Sequence, residues 1–131
     1  MKIGLDFDRV LFDTDSFNEY MKDETGLHHV EEDVYDENGN YSPERHAEDS
    51  DIDTENVYDA IKDLERFIYD DIDLLRNLDD HTLVIVTRGE EKYQRAKVEA
   101  SGVKDIFAEV YVVQEGPKDV DGVEFLVDDR E

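Results

Sequence analysis

The chain has 131 residues, the size of a single domain, so two independently folding catalytic halves are not expected. With 38 Asp and Glu against 14 Lys and Arg the formal charge is −24, which argues against binding a DNA or RNA backbone or an anionic membrane, since both need clustered cations. Cysteine is absent, which excludes disulfides, thiolate metal sites, iron–sulfur clusters and a Cys nucleophile.

In chain order, Met1-Lys2-Ile3-Gly4 runs into charged residues without an apolar signal core, and the longest apolar stretches, 82–86 and 108–113, are too short to cross a bilayer. A soluble cytoplasmic protein is expected. Ile3-Gly4-Leu5-Asp6-Phe7-Asp8 reads as a first strand that ends in carboxylates. Asp13-Thr14 caps a helix bearing Phe17, Tyr20 and Met21 at helical spacing, and Gly26 terminates it. Residues 28–53 read as loop-rich, with Val34-Tyr35 and Tyr41 flanking Asn38-Gly39 as a small hairpin. Val57, Ala60, Ile61, Leu64 and Phe67 mark a helical stripe from Thr54, and Ile72, Leu75 and Leu78 a second helix. The β-branched run 82–87 predicts a strand buried on both faces. A helix over 90–101 with a stop at Gly102 follows, Glu91 and Arg95 forming an i,i+4 pair, and strands close the chain at 110–113 and 124–127. Strands alternating with helices predict an α/β fold with a mostly parallel sheet, whose functional side chains gather at the carboxyl ends of the strands.

The charge has two further readings. Low hydropathy with high net charge is a signature of disorder, but 10% aromatic residues and sharply periodic apolar segments point to a packed core. Self-repulsion at this charge density would destabilise the compact state in dilute buffer and be screened in molar salt, which suits a halophilic cytoplasm; an acidic protein from ordinary salt is the alternative.

In a parallel sheet the strand ends gather Asp6 and Asp8, Thr87, and Asp128 and Asp129, with Lys118 entering ahead of the last strand. Carboxylates crowded in this way repel unless a cation or a lysine neutralises them, and an all-oxygen set suits Mg²⁺. Asp6 and Asp8 share one side of their strand, so one could attack an electrophile while the other moves protons.

Four segments carry a family resemblance. Asp6-Phe7-Asp8-Arg9-Val10-Leu11 resembles the Asp-x-Asp signature of the haloacid dehalogenase-like (HAD) superfamily, and Leu83-Val84-Ile85-Val86-Thr87-Arg88-Gly89 its apolar strand ending in Thr or Ser. Gly116-Pro117-Lys118 resembles its lysine motif, and Phe125-Leu126-Val127-Asp128-Asp129 its terminal acidic motif. The resemblance implies a Rossmann-like HAD fold in one domain, 1–131, with its core at about 1–13 and 66–131 and a small, mainly helical cap inserted over about 14–65. It implies a Mg²⁺-dependent phosphatase in which Asp6 is the nucleophile, forming an aspartyl-phosphate, and Asp8 the general acid and base. Thr87, Arg88 and Lys118 would hold the phosphoryl group, and Asp6, Asp8 (through its backbone carbonyl), Asp128 and Asp129 would serve the metal. Asp8 favours phosphate esters over carbon–halogen bonds, because dehalogenating members lack that acid. The implied partner is a small-molecule phosphate ester; oligomeric state is not readable.

Three features depart from the pattern. Arg9 stands where Gly is common, Lys118 lies only ten residues before Asp128, and the chain ends at Glu131, which implies either a pared-down sheet or a truncated sequence. A phosphotransferase would use the same residues, and a phosphate- or metal-binding module without turnover is the non-enzymatic alternative. A receiver-type domain is disfavoured because its phosphoacceptor belongs on a middle strand. Asp36-Glu37-Asn38-Gly39-Asn40 is read as a turn, since Tyr41 replaces the Gly a calcium loop needs. His28 and His29 are read as loop residues, and Tyr35, Tyr41, Arg45 and His46 as candidate substrate contacts for which packing or exposure is the plainer reading.

Overall fold

The computed structural model describes residues 1–27, 34–78, 80–118, 120 and 122–128. Its centre is a four-stranded, all-parallel sheet of β1 (Lys2–Leu5), β2 (Thr82–Arg88), β3 (Glu109–Val113) and β4 (Phe125–Val127), in the order β3-β2-β1-β4. The α/β expectation therefore holds. Leu5 lies opposite both Ile85 and Val127, so β1 ends between its two neighbours, and whatever follows it stands at the middle of the carboxyl edge. The β-branched run of β2 is buried from Leu83 through Thr87, as a parallel strand covered on both faces requires. Gly4 lets this centre close: a Cβ there would lie 3.0 Å from the Val86 side chain and 3.1 Å from that of Val123.

α1 (Thr14–Thr25) starts where the Asp13 carboxylate accepts from the Ser16 amide at 3.2 Å, and stops at Gly26 in the left-handed region at φ 79°. Its buried Phe17 joins an aromatic cluster in which Phe7 stacks on Phe12 at 4.7 Å and Phe12, Phe17 and Phe67 meet within 5.9 Å. The Asn38-Gly39 turn is present, with Gly39 at φ 78° and Tyr35 bridging Tyr41 antiparallel. The loop-rich reading is corrected over 43–49. α2 (Pro43–Asp49) occupies part of it, nucleated by Ser42 capping the Arg45 amide at 3.2 Å and by a proline in its first turn.

The long helix from Thr54 is also corrected. α3 (Thr54–Asp59) ends early, Asp63 turns the chain at φ 52°, and Leu64–Phe67 continues as a separate 3-10 turn. Val57, Leu64 and Phe67 are buried as expected, but from two separate elements joined by the turn at Asp63. The second predicted helix shrinks to α4 (Ile72–Leu75), and Leu78 is exposed. α5 (Glu91–Ala100) matches its expectation; Glu90 caps it, and Gly102 follows it at φ 75°. Among the described residues no helix is long and apolar enough to cross a membrane.

Candidate active site

Asp6 follows β1 and is pinned on three sides. Its amide donates to the Val127 carbonyl at 2.8 Å, its Oδ1 accepts from the Phe7 amide at 2.8 Å, and its Oδ2 lies 2.9 Å from Lys118 Nζ. The same Nζ meets Asp128 Oδ2 at 3.0 Å, so one ammonium joins the ends of β1 and β4. The short connection before Asp128 thus still delivers Lys118 to Asp6. Burial pushes the Asp6 carboxyl up to about 6; Lys118 pulls against this, while the Asp128 charge adds to it.

Asp8 belongs to a second, separate cluster. Its Oδ1 lies 2.9 Å from Lys97 Nζ and accepts from Thr14 Oγ1 at 3.0 Å, and its Oδ2 accepts from Gln94 Nε2 at 3.0 Å. Burial alone would raise this carboxyl, but the charge and hydrogen bond of Lys97, then the bonds from Gln94 and Thr14, outweigh it and hold Asp8 below the ordinary carboxylate range. Lys97 is itself enclosed, with its Nζ 4.9 Å from the Tyr93 ring centroid, 5.7 Å from that of Phe17 and 5.8 Å from that of Phe12. Lys97 and Gln94 were not among the residues singled out from sequence. The available signal was two polar residues in the apolar stripe of α5, whose buried face is Tyr93, Gln94, Lys97 and Val98.

Thr87 is fully buried near the end of β2, and its Oγ1 accepts from Gln94 Nε2 at 2.8 Å. One amide therefore links the Thr and Asp expected to face the phosphoryl group. Arg88 donates to the Gly116 carbonyl, tying the end of β2 to the segment that carries Lys118. Arg9 adopts φ 65°, the left-handed conformation for which Gly is best suited, and its guanidinium meets Asp15 at 3.0 Å. Asp129, His28 and His29 lie outside the described residues. Beside Asp8 opens a cavity of about 400 Å³ between α1, the 35–46 region and α5, with Tyr35, Tyr41 and His46 on its wall; Arg45 is not part of the wall and donates to the Tyr35 carbonyl.

The donors suit a hard cation. Asp6 and Asp128 turn carboxylate oxygens toward one point, where Lys118 now supplies the positive charge, and Mg²⁺ typically binds through one or two carboxylates with water and substrate completing its shell. Both Asp8 carboxylate oxygens are engaged elsewhere, so only its backbone carbonyl is left for that role. Among the described residues no three His, Asp or Glu side chains group as a metal cluster.

No family model matches the chain, and no curated protein does either. Solved structures do. A haloacid dehalogenase-like family hydrolase from Xanthomonas campestris aligns with a TM-score of 0.52 and 15% identity over 86% of this chain and 62% of its own. A protein described as a HAD-hydrolase, YfnB from Bacillus subtilis, solved bound to magnesium, aligns with a TM-score of 0.51 and 16% identity over 86% of this chain and 63% of its own. The fold is HAD-like. The chain spans less than two thirds of the length of either structure. On this HAD-like fold the segments carrying Asp6, Thr87 and Asp128 meet at one carboxyl edge of the sheet, with Lys118 reaching in from the β3–β4 connection.

Proposed function

We propose that the protein is a Mg²⁺-dependent phosphohydrolase that works through an aspartyl-phosphate on Asp6. The observation that carries this reading is the Lys118 ammonium between Asp6 and Asp128, with a second acid, Asp8, held two residues away by a different cation. Asp6 Oδ2 attacks phosphorus as the bond to the leaving oxygen breaks, and that oxygen takes a proton from Asp8. A water then gives its proton to Asp8 and attacks the phosphorus, releasing inorganic phosphate and restoring the Asp6 carboxylate. Lys118 offsets the negative charge gathered at the nucleophile, and the Thr87 hydroxyl donates a hydrogen bond to a phosphoryl oxygen. Asp8 needs its proton only when substrate is bound, and an arriving phosphoryl anion favours that protonation. Asp6, the Asp8 carbonyl and Asp128 would hold Mg²⁺, with Asp129 in support, and the ion would supply charge neutralisation at the phosphoryl oxygens.

Residues 14–65 act in this reading as a small cap. They supply one wall of the cavity beside Asp8, and a small-molecule phosphate ester is the substrate that fits its size. The test is phosphate release from an aryl phosphate with and without Mg²⁺, in low and in molar KCl. The wild type is expected to turn over only with metal, and Asp6→Asn to lose at least about a thousandfold in kcat, as removal of a nucleophile does. Turnover that survives Asp6→Asn, or none in a folded wild type under any of these conditions, overturns the proposal.

A further inference from the structure

Gln94 spends only half of its amide on the rest of the protein. Both protons of Nε2 are used, one by Asp8 Oδ2 at 3.0 Å and one by Thr87 Oγ1 at 2.8 Å. Asp8 fixes that orientation, because its other oxygen already takes Lys97 at 2.9 Å and Thr14 at 3.0 Å, so it faces Gln94 as a carboxylate that can only accept. Turning the amide over would set two acceptor oxygens against each other. Packing holds the side chain as well: it lies so close to Gly89 that a Cβ there would stand 2.7 Å from Gln94 Cγ and 3.0 Å from Cδ.

The carbonyl oxygen is left over. Among the described residues no donor reaches Gln94 Oε1. Nor is it sealed in, since the unpaired side-chain atoms closed to solvent there are Tyr58 Oη and Glu90 Oε2. Gln94 as a whole is 3% exposed, and the open space it lines is the cavity beside Asp8. A fixed, unpaired acceptor on a cavity wall, carried by a side chain otherwise buried, calls for a donor from a ligand.

Its place says what that donor belongs to. In the hydrolytic reading, on which this inference rests, the leaving oxygen lies against Asp8, because Asp8 protonates it. Asp8 and Gln94 line the cavity, whereas Asp6, Lys118 and Asp128 do not, so the leaving group is the part of a substrate that enters it. Because Oε1 belongs to the same amide that bonds Asp8, a donor that meets it is attached close to the leaving oxygen, as a hydroxyl or amino group on the neighbouring carbon is. A leaving group without one would strip water from Oε1 and return no hydrogen bond.

We propose that Gln94 Oε1 determines specificity, selecting phosphate esters whose leaving group carries a hydroxyl or amino donor on the carbon next to the one that bears the leaving oxygen.

The test compares 2-hydroxyethyl and 2-aminoethyl phosphate with propyl phosphate, which puts a methyl in the donor's place, and 2-methoxyethyl phosphate, which keeps an oxygen but no donor. Binding to the Asp6→Asn protein is measured by calorimetry and turnover by phosphate release from the wild type, with Mg²⁺ present and at one KCl concentration. At least one donor-bearing ester is expected to bind about fivefold tighter than both controls, the effect of one hydrogen bond, and the ester that responds distinguishes hydroxyl from amine. In Gln94→Leu and Gln94→Met, introduced singly into the Asp6→Asn background and checked for folding by circular dichroism, that ratio falls toward one. An aryl phosphate offers Oε1 no donor, so the ratio between the matched esters separates this contact from the hold of Nε2 on Asp8 and Thr87. Ratios near one in the Asp6→Asn protein, a preference untouched by both substitutions, or binding of none of the four esters overturns the inference. A binding preference without any turnover would sink the hydrolytic reading and leave the selectivity of Oε1 standing; turnover without preference would do the reverse.

Discussion

Replacing Lys97 with Met tests the internal logic of the site most directly. The substitution keeps most of the apolar stem of the side chain and removes the ammonium, which faces Asp8 and the rings of Phe12, Phe17 and Tyr93. Lys97 is 4% exposed and Asp8 24%, so the pair is largely desolvated and the surviving carboxylate cannot simply turn to water. Removing one partner of such a pair costs about 3–5 kcal/mol, and the partial exposure of Asp8 favours the lower end, about 3 kcal/mol. The pH dependence has a definite sign. In the wild type Asp8 is held below its ordinary value, so its stabilisation is present above the unfolded-state pKa and lost as pH falls through the folded one. Without Lys97 burial dominates and Asp8 shifts upward, so the variant loses stability as pH rises through the new value. The difference between the two proteins should thus be largest near neutral pH and shrink toward pH 4, with the other acids cancelling in the comparison. Urea unfolding of both proteins in chelator, from pH 4 to 8, measures it, and Asp8→Asn/Lys97→Met should recover most of the loss. A difference below about 1 kcal/mol that does not vary with pH would show that the charge of Lys97 is not what holds Asp8.

Asp6 carries the opposite sign. Its carboxyl, raised from 3.8 to about 6, makes ionisation at neutral pH unfavourable by up to about 3 kcal/mol, a cost that grows as pH rises through the folded value. Asp6→Asn should therefore raise the melting temperature in metal-free buffer at pH 7, and a lower value would contradict it. For the same reason kcat/KM is expected to climb between pH 5 and 7 as the nucleophile ionises, where a flat profile would argue against Asp6 in that role. Gln94→Leu removes the amide joining Thr87 to Asp8 and should lower kcat about tenfold or more with little change in KM; loss confined to KM would assign Gln94 to substrate binding instead. Gly89→Ala places a Cβ 2.7 Å from Gln94 Cγ at φ 154° and should cost about 1–3 kcal/mol in urea unfolding, together with a fall in kcat. Finally, the charge of −24 predicts a rising unfolding midpoint between low and molar KCl, and a midpoint independent of salt would remove the halophilic reading.

Much of the sheet and part of the site were legible in the residues themselves. The β-branched run of β2 and the acids closing β1 and β4 have local causes, burial on two faces and solvation at a sheet edge, so Asp6, Thr87, Lys118 and Asp128 could be named in advance. Helix α1 was equally legible, since Asp13 and Gly26 act on their own turns. The breaks between 54 and 78 were hidden, because apolar spacing reports which side chains must be buried and not whether one backbone can bury them all. Asp63 at φ 52° turns the chain there, and apolar spacing alone does not announce such a break.

What the sequence determined by itself was therefore the set of elements with local causes, their parallel order, and the acids that end the strands. The tertiary structure decided how those acids are divided. Asp6 and Asp128 share Lys118, while Asp8, two residues along, is turned to Lys97 and Gln94 from a helix nearly ninety residues away in the chain. It also decided that, among the described residues, Arg9, Lys22, Arg88 and Lys97 of a strongly acidic chain line one cavity. Both outcomes depend on which side chains reach the same space once the sheet and helices have packed. That information resides in distances between remote residues, and spacing along the chain does not encode it.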